Sequence, residues 1–224
     1  TVGTDGNLYA VNIQGGLGVF SLTPGGDLRW NVPGFLTNGG PGMGRVAFGP
    51  DNLYYADDGL WLVEGCGPPY EGLVSITLDG DLEWCRSISG VYNPPVGPVA
   101  TLDGRALILQ LPQTGTHIRA YTPDGEVDWT QDFLPYNLGV GPDGNVYAWF
   151  GTTLISLTAE GDERWSEAQL INNFPWRAEV APDTSSVVAG SVYGFGVNGT
   201  IVAADPADGS TLWSLPVTGP SAGA

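Results

Sequence analysis

Apolar and polar positions alternate along this chain in short runs and do not recur at helical spacing. Five runs carry the pattern: Val19-Phe20-Ser21-Leu22-Thr23, Leu73-Val74-Ser75-Ile76-Thr77, Ile118-Arg119-Ala120-Tyr121-Thr122, Leu154-Ile155-Ser156-Leu157-Thr158 and Ile201-Val202-Ala203-Ala204-Asp205. A period of two predicts strands with two unlike faces. Each run leads into a segment that ends in tryptophan: Gly26-Asp27-Leu28-Arg29-Trp30, Gly80-Asp81-Leu82-Glu83-Trp84, Gly125-Glu126-Val127-Asp128-Trp129, Gly161-Asp162-Glu163-Arg164-Trp165 and Gly209-Ser210-Thr211-Leu212-Trp213. Glycine stands four residues before tryptophan in every copy. Asp79-Gly80, Asp124-Gly125 and Asp208-Gly209 predict tight hairpin turns needing a positive φ. The indole that follows is large enough to cover a neighbouring sheet, and its N–H requires an acceptor.

A second pattern precedes the first in each repeat. Short apolar strands (Val46-Ala47-Phe48, Val99-Ala100-Thr101, Gly139-Val140-Gly141, Glu179-Val180-Ala181) run into turns. The turns are Asp5-Gly6-Asn7, Pro50-Asp51-Asn52, Asp103-Gly104-Arg105, Pro142-Asp143-Gly144-Asn145 and Pro182-Asp183, each followed by a β-rich stretch. The repeat therefore reads strand A, turn, strand B, loop, strand C, turn, strand D with its tryptophan. Four strands recurring every 36 to 54 residues predict the blades of a propeller. The expected fold is an all-β propeller of about five four-stranded blades in a single domain over 1–224. The blades are placed at about 1–34 plus 216–224, 43–90, 96–133, 137–170 and 177–215.

The first repeat lacks most of its strand A, while the tail Thr218-Gly219-Pro220-Ser221-Ala222 is similar to Val96-Gly97-Pro98-Val99-Ala100. Two arrangements follow. The C-terminal segment completes the first blade and closes a five-bladed ring, which removes free strand edges; this is the expectation adopted. Alternatively, the chain is a piece of a larger propeller. Thr1-Val2-Gly3-Thr4 opens inside a strand-like pattern, so the chain reads as a mature or excised form.

The Ala/Leu-x-Thr-x-x-Gly-x-x-x-Trp pattern resembles the tryptophan-docking motif of PQQ-like propellers, the quinoprotein alcohol dehydrogenase-like family. The resemblance spans essentially the whole chain and speaks to fold more than to activity. It implies three function classes: a PQQ-dependent dehydrogenase, a non-catalytic envelope propeller that scaffolds protein complexes, and a lectin-like module. The dehydrogenases of the family have eight blades, bound calcium, adjacent disulfide-bonded cysteines and a catalytic aspartate, and none of these can be placed on residues of this chain. A lectin would repeat the same loop residues in every blade, and these loops do not.

Composition narrows the partners. The formal charge is −17, from 24 acidic residues against seven arginines and no lysine. Such a surface repels phosphate backbones and anionic membranes, which argues against nucleic acid. No apolar run reaches the roughly 20 residues of a membrane-spanning helix. Gly 35 and Pro 18 accompany 42% hydrophobic residues, a mixture that predicts many turns between short strands and not disorder.

Function is expected where the repeats diverge. The A–B and C–D turns are short and alike, whereas the B–C and D–A connections are long and different, and variable loops on a regular scaffold are where binding resides. Trp61, Tyr70, Tyr92, Phe133, Tyr136, Phe174, Trp176 and Phe195 fall in or beside these connections and form the candidate binding face for another protein, a surface assembly or a carbohydrate. Trp30, Trp84, Trp129, Trp165 and Trp213 are the structural repeat tryptophans. Cys66 and Cys85 are a candidate disulfide in an oxidising compartment, which points to a secreted, periplasmic or cell-surface location; in a reducing one they are two buried thiols. Asp57, Asp58, Glu64 and Glu71 share the longest loop and are a weak candidate set for Ca²⁺, without calcium-loop spacing. The single imidazole, His117, stands beside no nucleophile, and the sequence holds no P-loop or dinucleotide fingerprint. The expectation is a non-catalytic, cofactor-free scaffold module, with a surface-assembly subunit or a lectin-like propeller as the alternatives.

Overall fold

The computed structural model describes residues 2–12, 18–32, 35–36, 46–57, 60–61, 72–87, 97–110, 117–133, 135, 137–168, 177–181, 185–191 and 198–218. Every regular element among these residues is a strand. In chain order they are β1 (Leu8–Asn12), β2 (Gly18–Leu22), β3 (Leu28–Val32), β4 (Phe35–Leu36), β5 (Val46–Phe48), β6 (Asn52–Asp57), β7 (Leu60–Trp61), β8 (Gly72–Thr77), β9 (Leu82–Ser87), β10 (Val99–Ala100), β11 (Ala106–Gln110), β12 (His117–Tyr121), β13 (Val127–Gln131), β14 (Asn137–Val140), β15 (Val146–Phe150), β16 (Thr153–Leu157), β17 (Glu163–Ala168), β18 (Arg177–Val180), β19 (Val187–Ser191), β20 (Asn198–Ala204) and β21 (Thr211–Thr218).

The chain divides into two compact units, Thr1–Asp132 and Phe133–Ala224. The first holds a three-stranded sheet β1-β2-β3, two four-stranded sheets, β5-β6-β8-β9 and β10-β11-β12-β13, and a two-stranded pair of β4 with β7. The second holds two further four-stranded sheets, β14-β15-β16-β17 and β18-β19-β20-β21. All pairings are antiparallel, and four sheets show the expected A, B, C, D order. In the first sheet a single bridge between Val2 and Leu8 stands where strand A would lie.

The C–D turns explain the fixed distance from glycine to tryptophan. Thr77 N–H donates to Asp81 O (2.9 Å), Gly80 N–H to Thr77 O (3.0 Å) and Asp81 N–H to Thr77 Oγ1 (3.0 Å). This is a three-residue loop with glycine in the left-handed region at φ 96, one residue longer than the two-residue turn read from Asp-Gly. It feeds a β-bulge: Ile76 pairs with Leu82 and Ser75 with Trp84, so Glu83 is the extra residue. The same shift occurs in all five sheets, leaving Arg29, Glu83, Asp128, Arg164 and Leu212 as the extra residues. Pairing continued from Ile76 and Leu82 without the bulge would set Cys85 opposite Leu73; the bulge moves it to Val74.

The core lies between successive sheets. In the first unit, Tyr9 and Val19 of the first sheet pack with Leu53, Tyr55, Val74 and Ile76 of the second. Ala47, Tyr54 and Leu73 pack with Ala106, Ile108 and Tyr121 of the third. In the second unit, Tyr147, Trp149 and Leu154 pack with Val187, Val202 and Ala204. Strands B and C are therefore apolar on both faces, as buried strands must be, while the D strands are largely exposed.

Candidate functional site

The end of each sheet that carries the short turns is occupied by contacts between sheets. Trp30 Nε1 donates to Leu78 O of the following sheet (2.9 Å), Trp84 Nε1 to Pro123 O (2.5 Å) and Trp165 Nε1 to Pro206 O (3.0 Å). Each indole lies against the glycine of the same turn. A Cβ on Gly80 would come within 2.7 Å of Trp30, on Gly125 within 2.6 Å of Trp84, and on Gly209 within 2.6 Å of Trp165. Positive φ and this close approach together require glycine at the three positions. Arg86 reinforces the second docking site: its Nε donates to Gly125 O (2.7 Å), its Nη2 reaches Glu126 Oε1 (2.8 Å), and its guanidinium stands 5.7 Å from the Trp84 ring.

Beneath these indoles lies a polar network that repeats. In the first sheet, Asp5 accepts from Asn7 N–H (3.0 Å), Asn7 Nδ2 (2.6 Å) and the Tyr9 hydroxyl (2.7 Å). Arg29 donates to Asp5 (3.3 Å) and to the buried Ser21 hydroxyl (3.0 Å). In the fourth, Asp143 accepts from Asn145 N–H (3.2 Å), Asn145 Nδ2 (2.7 Å) and Tyr147 (2.7 Å), and Arg164 donates to Ser156 (2.9 Å). Because Arg29 and Arg164 are the extra residues of their bulges, they reach the serine paired with the adjacent tryptophan. The second and third sheets use acids there: Glu83 accepts from Ser75 (2.6 Å) and Asn52 (3.0 Å), and Asp128 from Arg105 Nε (2.6 Å). Burial alone would raise the Asp5 and Asp143 carboxyls, but hydrogen bonds from asparagine and tyrosine outweigh it and hold both below the usual carboxylate value. Burial, and then the bond to Asp143, push the Tyr147 phenol up to about 12. These groups hold sheets together, and among the described residues no cluster of His, Cys, Asp or Glu could bind a metal ion.

The opposite end carries the long connections. Trp61 lies on β7, its backbone opposite Phe35 of β4. Phe133 is half-buried and packs edge-on against Phe150, with centroids 6.1 Å apart. Phe150 is 49% exposed. It closes β15 at a tight turn through Gly151, which is why a search of the long loops misses it; its one signal in sequence is an aromatic ring at the exposed end of an otherwise buried strand. His117 opens β12 and Asp132 follows β13 here, with Nδ1 2.8 Å from Oδ1, and His117 is half-buried. Trp149 and Asn137, paired across β15 and β14 at this end, are both buried, and among the described residues neither Trp149 Nε1 nor Asn137 Nδ2 has an acceptor. Sequence reading missed this pair too. Tyr70, Tyr92, Tyr136, Phe174, Trp176 and Phe195 lie outside the described residues, as do Asp58, Glu64 and Glu71 of the calcium set and Cys66. Asp57 ends β6, and Cys85 of β9 is disulfide-bonded. All five repeat tryptophans follow their bulges, four half-buried and Trp213 exposed.

Residues 78–224, more than half of the chain, match the PQQ-like family described as outer membrane protein assembly factor BamB. No curated protein matches the chain. Among solved structures, a protein of unknown function from Bacteroides caccae is 12% identical, with 93% of this chain and 72% of that one covered and a TM-score of 0.56. Hydrazine synthase of Kuenenia stuttgartiensis is 13% identical, with 82% and 51% covered and a TM-score of 0.61, so this chain spans about half its length. The nidogen/laminin complex contains a chain 11% identical, with 95% and 76% covered and a TM-score of 0.56. At these identities the likeness is one of fold.

Proposed function

This chain belongs to the PQQ-like β-propeller family of the outer membrane protein assembly factor BamB, and on that premise we propose that it is a non-catalytic scaffold that binds other proteins through its long-connection face. One observation carries the reading. Three of the short-turn ends are occupied by an indole of the preceding sheet, whereas the other end presents an aromatic pair, Phe133 and the exposed Phe150. Exposed aromatics on a rigid sheet end make effective anchors, because little side-chain freedom is lost on binding. Five repeats support five blades. The family suggests a periplasmic site of action at the outer membrane. An oxidising compartment agrees with a bonded Cys85, for which Cys66, the only other cysteine, is the proposed partner.

The test is photocrosslinking in the envelope of the source cell. A photoreactive residue replaces Trp61, Phe133 or Phe150 on one face, and Arg105 or Asp162 on the other. Protein adducts, identified by mass spectrometry, from the first set alone support the reading. Adducts from the second set alone, or from neither, refute it.

A further inference from the structure

The fourth sheet buries two hydrogen-bond donors that find no use inside it. Asn137 of β14 and Trp149 of β15 stand opposite each other at the long-connection end, so both side chains leave the same face of the sheet. Each is 1% exposed. Among the described residues neither Asn137 Nδ2 nor Trp149 Nε1 meets an acceptor. A buried indole N–H ordinarily has one, and a buried donor without one costs free energy.

The repeat does not require a donor at this position. Trp149 stands opposite Leu154. By the same register its counterparts are Leu109 opposite Ile118, Ala56 opposite Leu73 and Val11 opposite Val19, all aliphatic. An aliphatic residue would fill the place of Trp149 and leave no group unsatisfied. The ring itself is fixed in a packed cluster with Tyr147, Leu154, Val187 and Val202. Phe150, the next residue, is exposed at the same end of the sheet, edge-on to Phe133.

We propose that Asn137 and Trp149 are the paired donors of a carbonyl-binding site, and that it takes a main-chain carbonyl of a partner polypeptide. A carbonyl oxygen has two lone pairs, which match one indole N–H and one amide N–H. The surroundings select a neutral group. A carboxylate placed beside this apolar cluster would exchange its hydration for two neutral donors, and a net charge of −17 opposes an anion further. Both nitrogens are closed off from solvent in the free chain, so the carbonyl reaches them when this end of the sheet opens locally. Only the source of the carbonyl rests on the scaffold role proposed above; the donor pair stands without it.

The test is a titration of the full chain, labelled with nitrogen-15, with N-methylacetamide, a peptide bond without side chains. Sodium acetate is the matched anion. The indole proton of Trp149, assigned by its loss in Trp149→Phe, should move downfield with the amide and stay in place with acetate. Asn137→Leu should weaken the response about fivefold, the worth of one hydrogen bond, while circular dichroism shows it melting no earlier than the wild type. Trp149→Phe, read at the Asn137 side-chain amide, should weaken it similarly, and carries the test alone if Asn137→Leu does not fold. Acetyl-trialanine amide should bind more tightly than N-methylacetamide, because a polypeptide adds contacts beyond one carbonyl. An indole proton unmoved at every amide concentration overturns the site and leaves its donors to internal water. A stronger response to acetate overturns the neutral ligand, and an unchanged response in the variants overturns the pair. A tripeptide no tighter than N-methylacetamide overturns the polypeptide as the source. A positive amide titration beside failed crosslinking would refute the scaffold role and retain the site.

Discussion

Trp84 holds its indole so close to Gly125 of the next sheet that a Cβ there would stand 2.6 Å from Cδ2, while its Nε1–H donates to Pro123 O of the same turn. One side chain thus fills a surface and satisfies a carbonyl at once. The contact turns a local hairpin rule into a rule about neighbours, since the glycine that shapes one turn also admits the tryptophan of the preceding sheet.

Gly125→Ala should therefore cost more than its backbone conformation alone. Gly6, at φ 78 with nothing within 4 Å of its Cβ position, supplies the control. Gly6→Ala should lose about 1 kcal/mol for an L-residue in the left-handed region, and Gly125→Ala a further 1–3 kcal/mol or so for overpacking. Urea unfolding of both variants measures the difference, and equal losses would show that the indole yields freely.

The Asp143–Tyr147 pair should make stability fall at both ends of the pH scale. Asp143 has a folded pKa below its unfolded value of 3.8, so its contribution is complete above that value and is lost as pH falls through the folded one. Tyr147 has a folded pKa of about 12 against 10.0 unfolded, so its contribution is complete below 10 and disappears as pH rises towards 12. Asp143→Asn should flatten the acid limb of the urea midpoint, and Tyr147→Phe the alkaline limb. A Tyr147→Phe variant with an unchanged alkaline limb would assign that limb to other groups.

Arg105 and Asp128 form a partly buried ion pair in the sheet where Ala120 replaces the bulge serine. Arg105→Asn and Asp128→Asn should be non-additive, with a coupling of about 0.5–1 kcal/mol in a double-mutant cycle. Additive losses would mean that the two charges do not sense each other.

Asn137→Leu should stabilise the chain by about 1 kcal/mol, because it removes a buried donor without an acceptor from beside an apolar ring. Thermal unfolding reads the change. A loss of similar size would show that the amide holds an acceptor at the long-connection end of its sheet.

Most of the repeat was legible in the sequence, because alternation and the Gly-to-Trp spacing repeat five times. The bulge was not. Five extra residues before five tryptophans leave no mark in an apolar/polar pattern, so the reach of Arg29 to Ser21 and the three-residue turn before Asp81 show only in the structure. Phe150 was passed over because it belongs to a strand, and Asn137 and Trp149 because each is unremarkable alone and informative only as a cross-strand pair. The loops that carry most of the candidate aromatics follow no repeat, and periodicity can say nothing about where one-off side chains come to rest. Of the tail expected to complete the first blade, 216–224, Pro216, Val217 and Thr218 instead end β21 and pair with β20, and 219–224 lie outside the described residues.

Each docked indole proton is held by a carbonyl of the neighbouring sheet. It can exchange with solvent deuterium only when those two sheets part, whatever happens to the ladders inside either one. Trp30, Trp84 and Trp165 thus act as separate spectroscopic clocks for three seams, and the downfield indole region of a proton spectrum would time the opening of each of these in turn.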